Sequence, residues 1–391
     1  MPDISLRMRL LRLGVAVFFS YLSVAVALPV ISVHVGRELG LSNWLGGLAV
    51  GVSFLSTILS RKYAGSFADL RSPKRCAILG LGLYMLAAAI CLASLVPRLP
   101  APLAYAVLVC GRLVLGLGEG MALVGITSWH FSLIGPTLSG KILSIVGMAM
   151  YGAFAVGGPV GLEVYARSGF PALMLLSFLF PLAGAFLLIA APDVPPRKAS
   201  SMQRSFAGVM RMIWKQGTVV CLQGVGFAVL GAFVSLYFKS RAWPYAGLGL
   251  TCFGSGFVLI RILFGGLPDR IGGIRLARFS LIVETAGQAL LWLAPNVSIA
   301  LAGALFTGLG CSMIFPAMGV EVVRRVPAEL RATAFGGFAA FQDVAYAFSA
   351  PVAGALADVS GYPAVFLLGA AAAVLGLAVT ASMPPPARRE G

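Results

Sequence analysis

This 391-residue sequence predicts an all-α integral membrane fold of twelve transmembrane helices in two parallel six-helix bundles. Three observations carry that expectation. Hydrophobic residues make up 59% of the chain and charged residues 11%, more apolar surface than a soluble domain of that length hides. Apolar runs of about 20 residues, the length that crosses roughly 30 Å of hydrocarbon, recur along the whole chain. A basic string also returns 200 positions on: Arg61-x3-Gly65-x3-Asp69 with Arg71, Lys74 and Arg75, then Arg261-x3-Gly265-x3-Asp269 with Arg270, Gly272 and Arg275.

The elements follow in order. Span 12–34 comes after Arg7, Arg9 and Arg12 and runs on through Pro29 to Val33. Ala25-Val26-Ala27 resembles a signal-peptidase site, but cleavage there would leave the first half one helix short, so the segment is read as a retained first helix. Spans 43–63 and 76–96 flank the first basic string, and 103–125 contains Arg112 and Glu119. Spans 141–165 and 171–191 close the first half. The connector 192–215 begins irregularly at Pro195-Pro196 and Ser200-Ser201. Phe206, Val209, Met210, Ile213 and Trp214 then recur at helical spacing, which predicts a short amphipathic helix at the membrane interface, with a solvated linker as the alternative. Spans 216–238 and 247–267 precede the second basic string; 276–294, 297–320, 332–357 and 362–382 complete the set, before Pro384-Pro385-Pro386. The expected domains are thus 1–191, the linker 192–215, and 216–391.

The repeat extends past the basic strings. Pro159-Val160 and Ser168-Gly169-Phe170-Pro171-Ala172 return as Pro351-Val352 and Ser360-Gly361-Tyr362-Pro363-Ala364, at an offset of 192. Gly116-Leu117-Gly118 and Gly308-Leu309-Gly310 share that offset. The halves therefore repeat in parallel, about an axis along the membrane normal.

Charge placement fixes orientation and excludes other classes. With both termini on the cytoplasmic side, 23 Lys and Arg fall inside and 5 outside, with Arg112 within a span. That split follows the positive-inside rule, so the lipid bilayer, and not nucleic acid, accounts for the net charge of +16. The six cysteines are scattered through apolar runs with no metal-ligand spacing, which predicts small buried hydrophobes and no cofactor. Gly135 to Lys141 imitates a phosphate-binding loop, yet Ile142 stands where the magnesium-binding hydroxyl belongs and no strand precedes it. His34 and His130, the only histidines, lie in no hydrolase or metalloprotease setting, so no enzyme is predicted.

On these residues the chain resembles the major facilitator superfamily over its full length. The family's loop signature, Gly-x-x-x-Asp-Arg/Lys-x-Gly, fits Gly265, Asp269, Arg270 and Gly272; the first copy keeps Gly65 and Asp69 but has Leu70 and Ser72 in place of a basic residue and glycine. Arg112, Gly116 and Gly118 are similar to the Arg-x-x-x-Gly-x-Gly signature of proton-coupled members. Gly157-Gly158-Pro159-Val160-Gly161 departs in spacing from the drug-antiporter motif. Leu222 to Phe227, Ile314 to Glu321 and Gly337 to Asp343 look like the bacterial YfcJ/YhhS-type, arabinose-efflux-like branch. The resemblance implies an inner-membrane, monomeric, proton-coupled carrier of a small-molecule substrate. Spans one, four, seven and ten would line its central cavity, and Gly65, Gly265, Arg270, Gly272, Pro159 and Pro351 would form its conformational motif. It also implies a cytoplasmic gate pairing Asp69 with Arg331 and Asp269 with Lys141.

Ionisable groups inside a span cost about 2.5–3.5 kcal/mol on insertion scales, so each calls for a reason. Arg112 and Glu119 lie seven apart on one helical face, about 10 Å along the axis, placed to flank a wet cavity. Asp343 with Gln342 falls mid-span, where a carboxylate can exchange a proton or serve as counter-ion to Arg112. Gln223 and Tyr21, with Ser20, offer hydrogen bonds to a substrate. Glu284 and Gln288, one turn apart, read as a structural pair. These residues set the expected function, proton-coupled efflux by alternating access, against the alternative of proton-linked or facilitative sugar uptake and the remoter ones of a channel or membrane enzyme.

Overall fold

Apolar composition and local stop signals divide the described residues into a succession of helices. A computed structural model describes residues 2–134, 139–189, 193, 206–265, 267–327 and 330–383, and among them no strand occurs. The helices are α1 (Pro2–Arg37), α2 (Asn43–Leu70), α3 (Pro73–Ala93), α4 (Ala101–Ile134), α5 (Ser139–Ile189) and α6 (Phe206–Ser240). Then follow α7 (Leu248–Phe264), α8 (Leu267–Ile271), α9 (Gly273–Leu293), α10 (Val297–Arg325), α11 (Arg331–Ser360) and α12 (Tyr362–Ala381). Nine of the described helices are long and apolar enough to cross a membrane. The second limb of α5, the shorter α7, and α11 bring the crossings to twelve, as the sequence predicts.

Breaks and caps explain the boundaries. At Gly169 the backbone turns to φ 75°, ψ −175° and splits α5 into two limbs. Its repeat mate Gly361 adopts φ 78°, ψ 168° between α11 and α12. Both conformations are open at little strain only to glycine, which has no Cβ, and Pro171 and Pro363 then start the next helix where a missing N–H costs nothing. Ser72, in place of the expected glycine, sits at φ −173° and caps α3 by accepting a bond from Arg75 N at 3.2 Å. Asn296 caps α10 in the same way, accepting from Ile299 N at 3.1 Å.

Two expectations change. Residues 206–215 form no separate amphipathic helix; they are the first turns of α6, with Val209 and Ile213 buried and Trp214 exposed. Arg61 is no loop charge either, because α2 continues nine residues beyond it. Apolarity marks where lipid ends, whereas the backbone hydrogen-bond ladder continues into polar sequence. The side chains of Asp69, Lys141, Asp269 and Arg331, and the stretch 135–138 of the phosphate-loop imitation, lie outside the described residues.

Small residues let the helices of each bundle touch backbone to backbone, as membrane packing favours, and the repeat holds at the level of contacts. Gly111 packs on Ala87 and Cys91, and Gly303 on Gly287 and Leu291. Gly116 meets Ser53 as Gly308 meets Phe253; Gly118 meets Gly80 as Gly310 meets Ser280. Positions on α2 and α3 recur 200 residues on, those on α4 and α5 192 residues on, as the repeated strings predict.

The two bundles meet along α2 with α11, α5 with α7, and α1 with α6. Helix parity gives the molecule a terminal face, where α1 begins, and a distal face, where α2 begins. On the distal side, Gly47 and Gly51 abut the carbonyls of Ala350 and Ala347. In the partner seam Gly247 packs on Pro159, and Thr251 Oγ1 donates to Ala155 O at 2.8 Å. Gly231 receives Leu28 between α1 and α6. The distal half of the interface is closed.

Candidate functional site

The longest-range ion pair among the described residues crosses between the bundles. Arg61 on α2 donates from Nε and Nη2 to the two carboxylate oxygens of Asp343 on α11, at 2.5 and 3.0 Å. Two parallel N–H···O bonds are the geometry in which guanidinium and carboxylate bind most strongly. The sequence offered Arg112 as counter-ion to Asp343; Arg61 holds that place. The sequence missed it because Arg61 adjoins Lys62 at the end of an apolar run, where both read as interfacial charge.

A second polar pair stands beside the first. Tyr21 on α1 donates its hydroxyl to Glu119 Oε1 on α4 at 2.9 Å, and Glu119 Oε2 has no hydrogen-bond partner. The Arg61 charge acts electrostatically on both Tyr21 and Glu119, and Asp343 acts on Glu119. Tyr21, Arg61, Glu119 and Asp343 lie 16 to 18 residues from the distal ends of their four helices. At 1.5 Å per residue they share one level about 25 Å deep. Four helices from both bundles thus bring two carboxylates, a guanidinium and a phenol together in the interior.

Aromatic rings cover this cluster on its distal side and bridge the bundles. Phe54 of α2 meets Tyr346 of α11 at 5.0 Å between ring centres, edge to face. Tyr151 of α5 stacks on Phe257 of α7 at 3.5 Å and joins its hydroxyl to that of Tyr346 at 3.1 Å. Phe227 of α6 contacts Tyr151 and Tyr346 at 5.5 and 5.1 Å. Such pairs favour offset or edge-on geometry and add to the burial of their area.

The other expected residues occupy different places. Arg112 is 2% exposed and turns into the first bundle, donating to Ala49 O at 3.1 Å and Ser53 Oγ at 3.3 Å on α2. A cavity inside that bundle is lined by Arg112, Tyr84, Ser23 and Ser177. Gln223 is buried near Cys311 in the second bundle, and its Oε1 has no hydrogen-bond partner. Gln342 is half-buried beside Asp343 on α11. Glu284 and Gln288 share the core of the second bundle, Gln288 donating to Gly226 O at 3.1 Å. Both oxygens of Glu284, a fully buried residue, lack hydrogen-bond partners.

The distal face carries a contact that sequence reasoning did not reach. Asp358, in the last turn of α11, accepts from Asn43 N and Nδ2 at 3.0 and 2.8 Å, and from Trp44 N at 3.0 Å. Tyr362 donates to Asn43 Oδ1 at 2.9 Å. One carboxylate of the second bundle therefore satisfies the open N–H groups at the start of a first-bundle helix, where the helix dipole also favours negative charge.

A family profile described as Major Facilitator Superfamily matches residues 13–248 and, again, 244–391. The chain is 43% identical over 371 residues to an MFS-type transporter of Salmonella typhimurium, covering 95% of each chain. It is 36% identical over 365 residues to an MFS-type transporter of Burkholderia mallei, covering 93% of this chain and 89% of that one. The fold is similar to that of a D-xylose-proton symporter, with a TM-score of 0.79 over 97% of each chain; at 18% identity this shows the fold alone.

Proposed function

Because the chain belongs to the Major Facilitator Superfamily, we propose that this membrane transporter works as a secondary active carrier, coupling proton movement to export of a small solute by alternating access. The observation that carries the reading is the part-buried Arg61–Asp343 pair, which joins the bundles at the level of Tyr21 and Glu119. A transporter that rocks one bundle against the other must make and break charge contacts across their interface. A proton arriving at Asp343 removes the carboxylate that Arg61 grips, so proton binding and bundle separation become one event. The free Oε2 of Glu119 supplies a second proton acceptor at the same level.

In this reading residues 1–191 and 216–391 are the moving bodies and 192–215 contributes their tether, although α6 already begins at Phe206. The terminal face is cytoplasmic, in the bacterial inner membrane, because the basic residues collect there. Asp358 latches the periplasmic face, and Asp69 with Arg331 and Asp269 with Lys141 form the opposing cytoplasmic gate. Pro159 and Pro351 stand beside the distal contacts of Gly247 and Gly47, where the rocking helices touch. Arg112 and Gln223 belong to the bundle interiors and stiffen each body around the coupled pair. The chain acts as a monomer, and the motifs in α6, α10 and α11 support the YfcJ/YhhS-type branch.

The test uses proteoliposomes and a labelled solute chosen by selective thermal stabilisation of the purified protein. The expected result is accumulation driven by an imposed pH gradient, abolished in Asp343→Asn. Equal flux with and without the gradient would remove proton coupling from the account.

A further inference from the structure

The close backbone contacts of the interface obey the repeat, and the ion pair breaks it. Gly47 with Ala350 and Pro351 in one seam matches Gly247 with Pro159 in the other, and Gly51 with Ala347 matches Thr251 with Ala155. Arg61 with Asp343 should match Arg261 with residue 151. That residue is tyrosine.

Arg261 is therefore a guanidinium built into a seam without the carboxylate its twin possesses. Nε and Nη2 donate to Ser312 Oγ and O at 3.2 and 3.1 Å, and Cζ lies 4.9 Å over the Phe257 ring. Nη1 faces the position where a Cβ on Gly147 would stand, and it donates to nothing among the described residues. No carboxylate among the described residues is within ion-pair distance of Arg261. Tyr151 shares its electrostatic surroundings with both Arg261 and Asp343, so the bare cation adjoins the coupled cluster. A cation inside a span pairs with a charge or with backbone carbonyls; Ser312 meets one edge of the Arg261 guanidinium and leaves Nη1 open toward the seam.

We infer that the transported solute supplies it: the carrier takes a small organic anion whose carboxylate binds Arg261 and whose apolar or aromatic body lies against Phe257 and Tyr151. This rests on the transport reading and adds the substrate class to it. The solute's carboxylate takes, in the α5–α7 seam, the part Asp343 plays in the α2–α11 seam, so loading the carrier completes the symmetry of the interface. Guanidinium selects a planar carboxylate through paired hydrogen bonds, and the stacked rings select a flat apolar body.

The experiment is thermal unfolding of purified full-length protein with benzoate, phenylacetate and salicylate, against benzamide and benzylamine at matched ionic strength. The inference expects saturable stabilisation of several degrees by at least one carboxylate, none by the amide or amine, and at least a tenfold weaker response in Arg261→Gln. Tyr151→Asp guards against a variant that merely folds badly. It installs the missing counter-ion while giving up the Tyr151 ring contacts, so it should still unfold cooperatively and lose the carboxylate response. Stabilisation by benzylamine, an unchanged response in Arg261→Gln or Tyr151→Asp, or no response to any of the three carboxylates overturns the inference. Gradient-driven flux of some other solute alongside such a result leaves the transport reading standing; saturable carboxylate binding without any flux does the reverse.

Discussion

At the scale of single residues, Asp343 and Arg61 carry the account, and their energetics are asymmetric. Breaking a buried pair by removing one partner costs about 3–5 kcal/mol, because the survivor is left charged and unsolvated, whereas replacing both with apolar groups is often neutral. Asp343→Leu and Arg61→Met should therefore each lower stability strongly, and the double variant should recover most of the loss. Reversible denaturation in micelles measures the cycle; a double variant as unstable as the sum of the singles would mean that the two side chains do not depend on each other. Sequence reasoning picked out Asp343, Glu119 and Tyr21 because a polar group in an apolar run is conspicuous. It missed the pairing, since a contact between positions 282 apart leaves no local trace. Arg112 was equally conspicuous and was given the wrong neighbours: the same sequence signal marks a group facing the bundle interface and one bonded to carbonyls inside a bundle. The repeat offered a cue at Arg261, because an offset of 192 from Asp343 lands on Tyr151 and so leaves the second arginine without its acid.

At the scale of elements, the helices follow from apolarity and from a few glycines and prolines. Gly169 and Gly361 hold the same left-handed turn in both halves. An L side chain at such a φ with extended ψ costs about 1–3 kcal/mol. Gly169→Ala and Gly361→Ala should each lower the unfolding free energy by that amount, while alanine at Gly82, which has nothing within 4 Å and no positive φ, should change it far less. Equal effects at all three positions would remove the turn argument. The repeated Ser-Gly-aromatic-Pro-Ala string made these turns legible in sequence. Helix ends were less so: α1 reaches Pro2 and α4 reaches Ile134, both well past the predicted spans 12–34 and 103–125. The polar start of α1 keeps helical backbone that hydropathy does not register, whereas α4 runs on through the apolar-rich stretch 126–134 without a break.

At the scale of the whole molecule, closure of the distal face is distributed over many small contacts. The Asp358 carboxylate at the start of α2, the paired glycine–carbonyl approaches, the bridging aromatic rings and the ion pair succeed one another inward along the α2–α11 seam. Composition and repeats were enough to foresee two related bundles; which face is closed depends on contacts between them. The account holds that Arg61 and Asp343 stabilise this closed face and that losing the Asp343 charge releases it. Spin labels on Trp44→Cys and Val359→Cys, exposed positions flanking the latch, in a cysteine-free background, report the gap by pulsed electron resonance. A single short distance in the parent, joined by a longer population in Asp343→Asn, is the expected result; one identical distance distribution in both proteins would contradict the account.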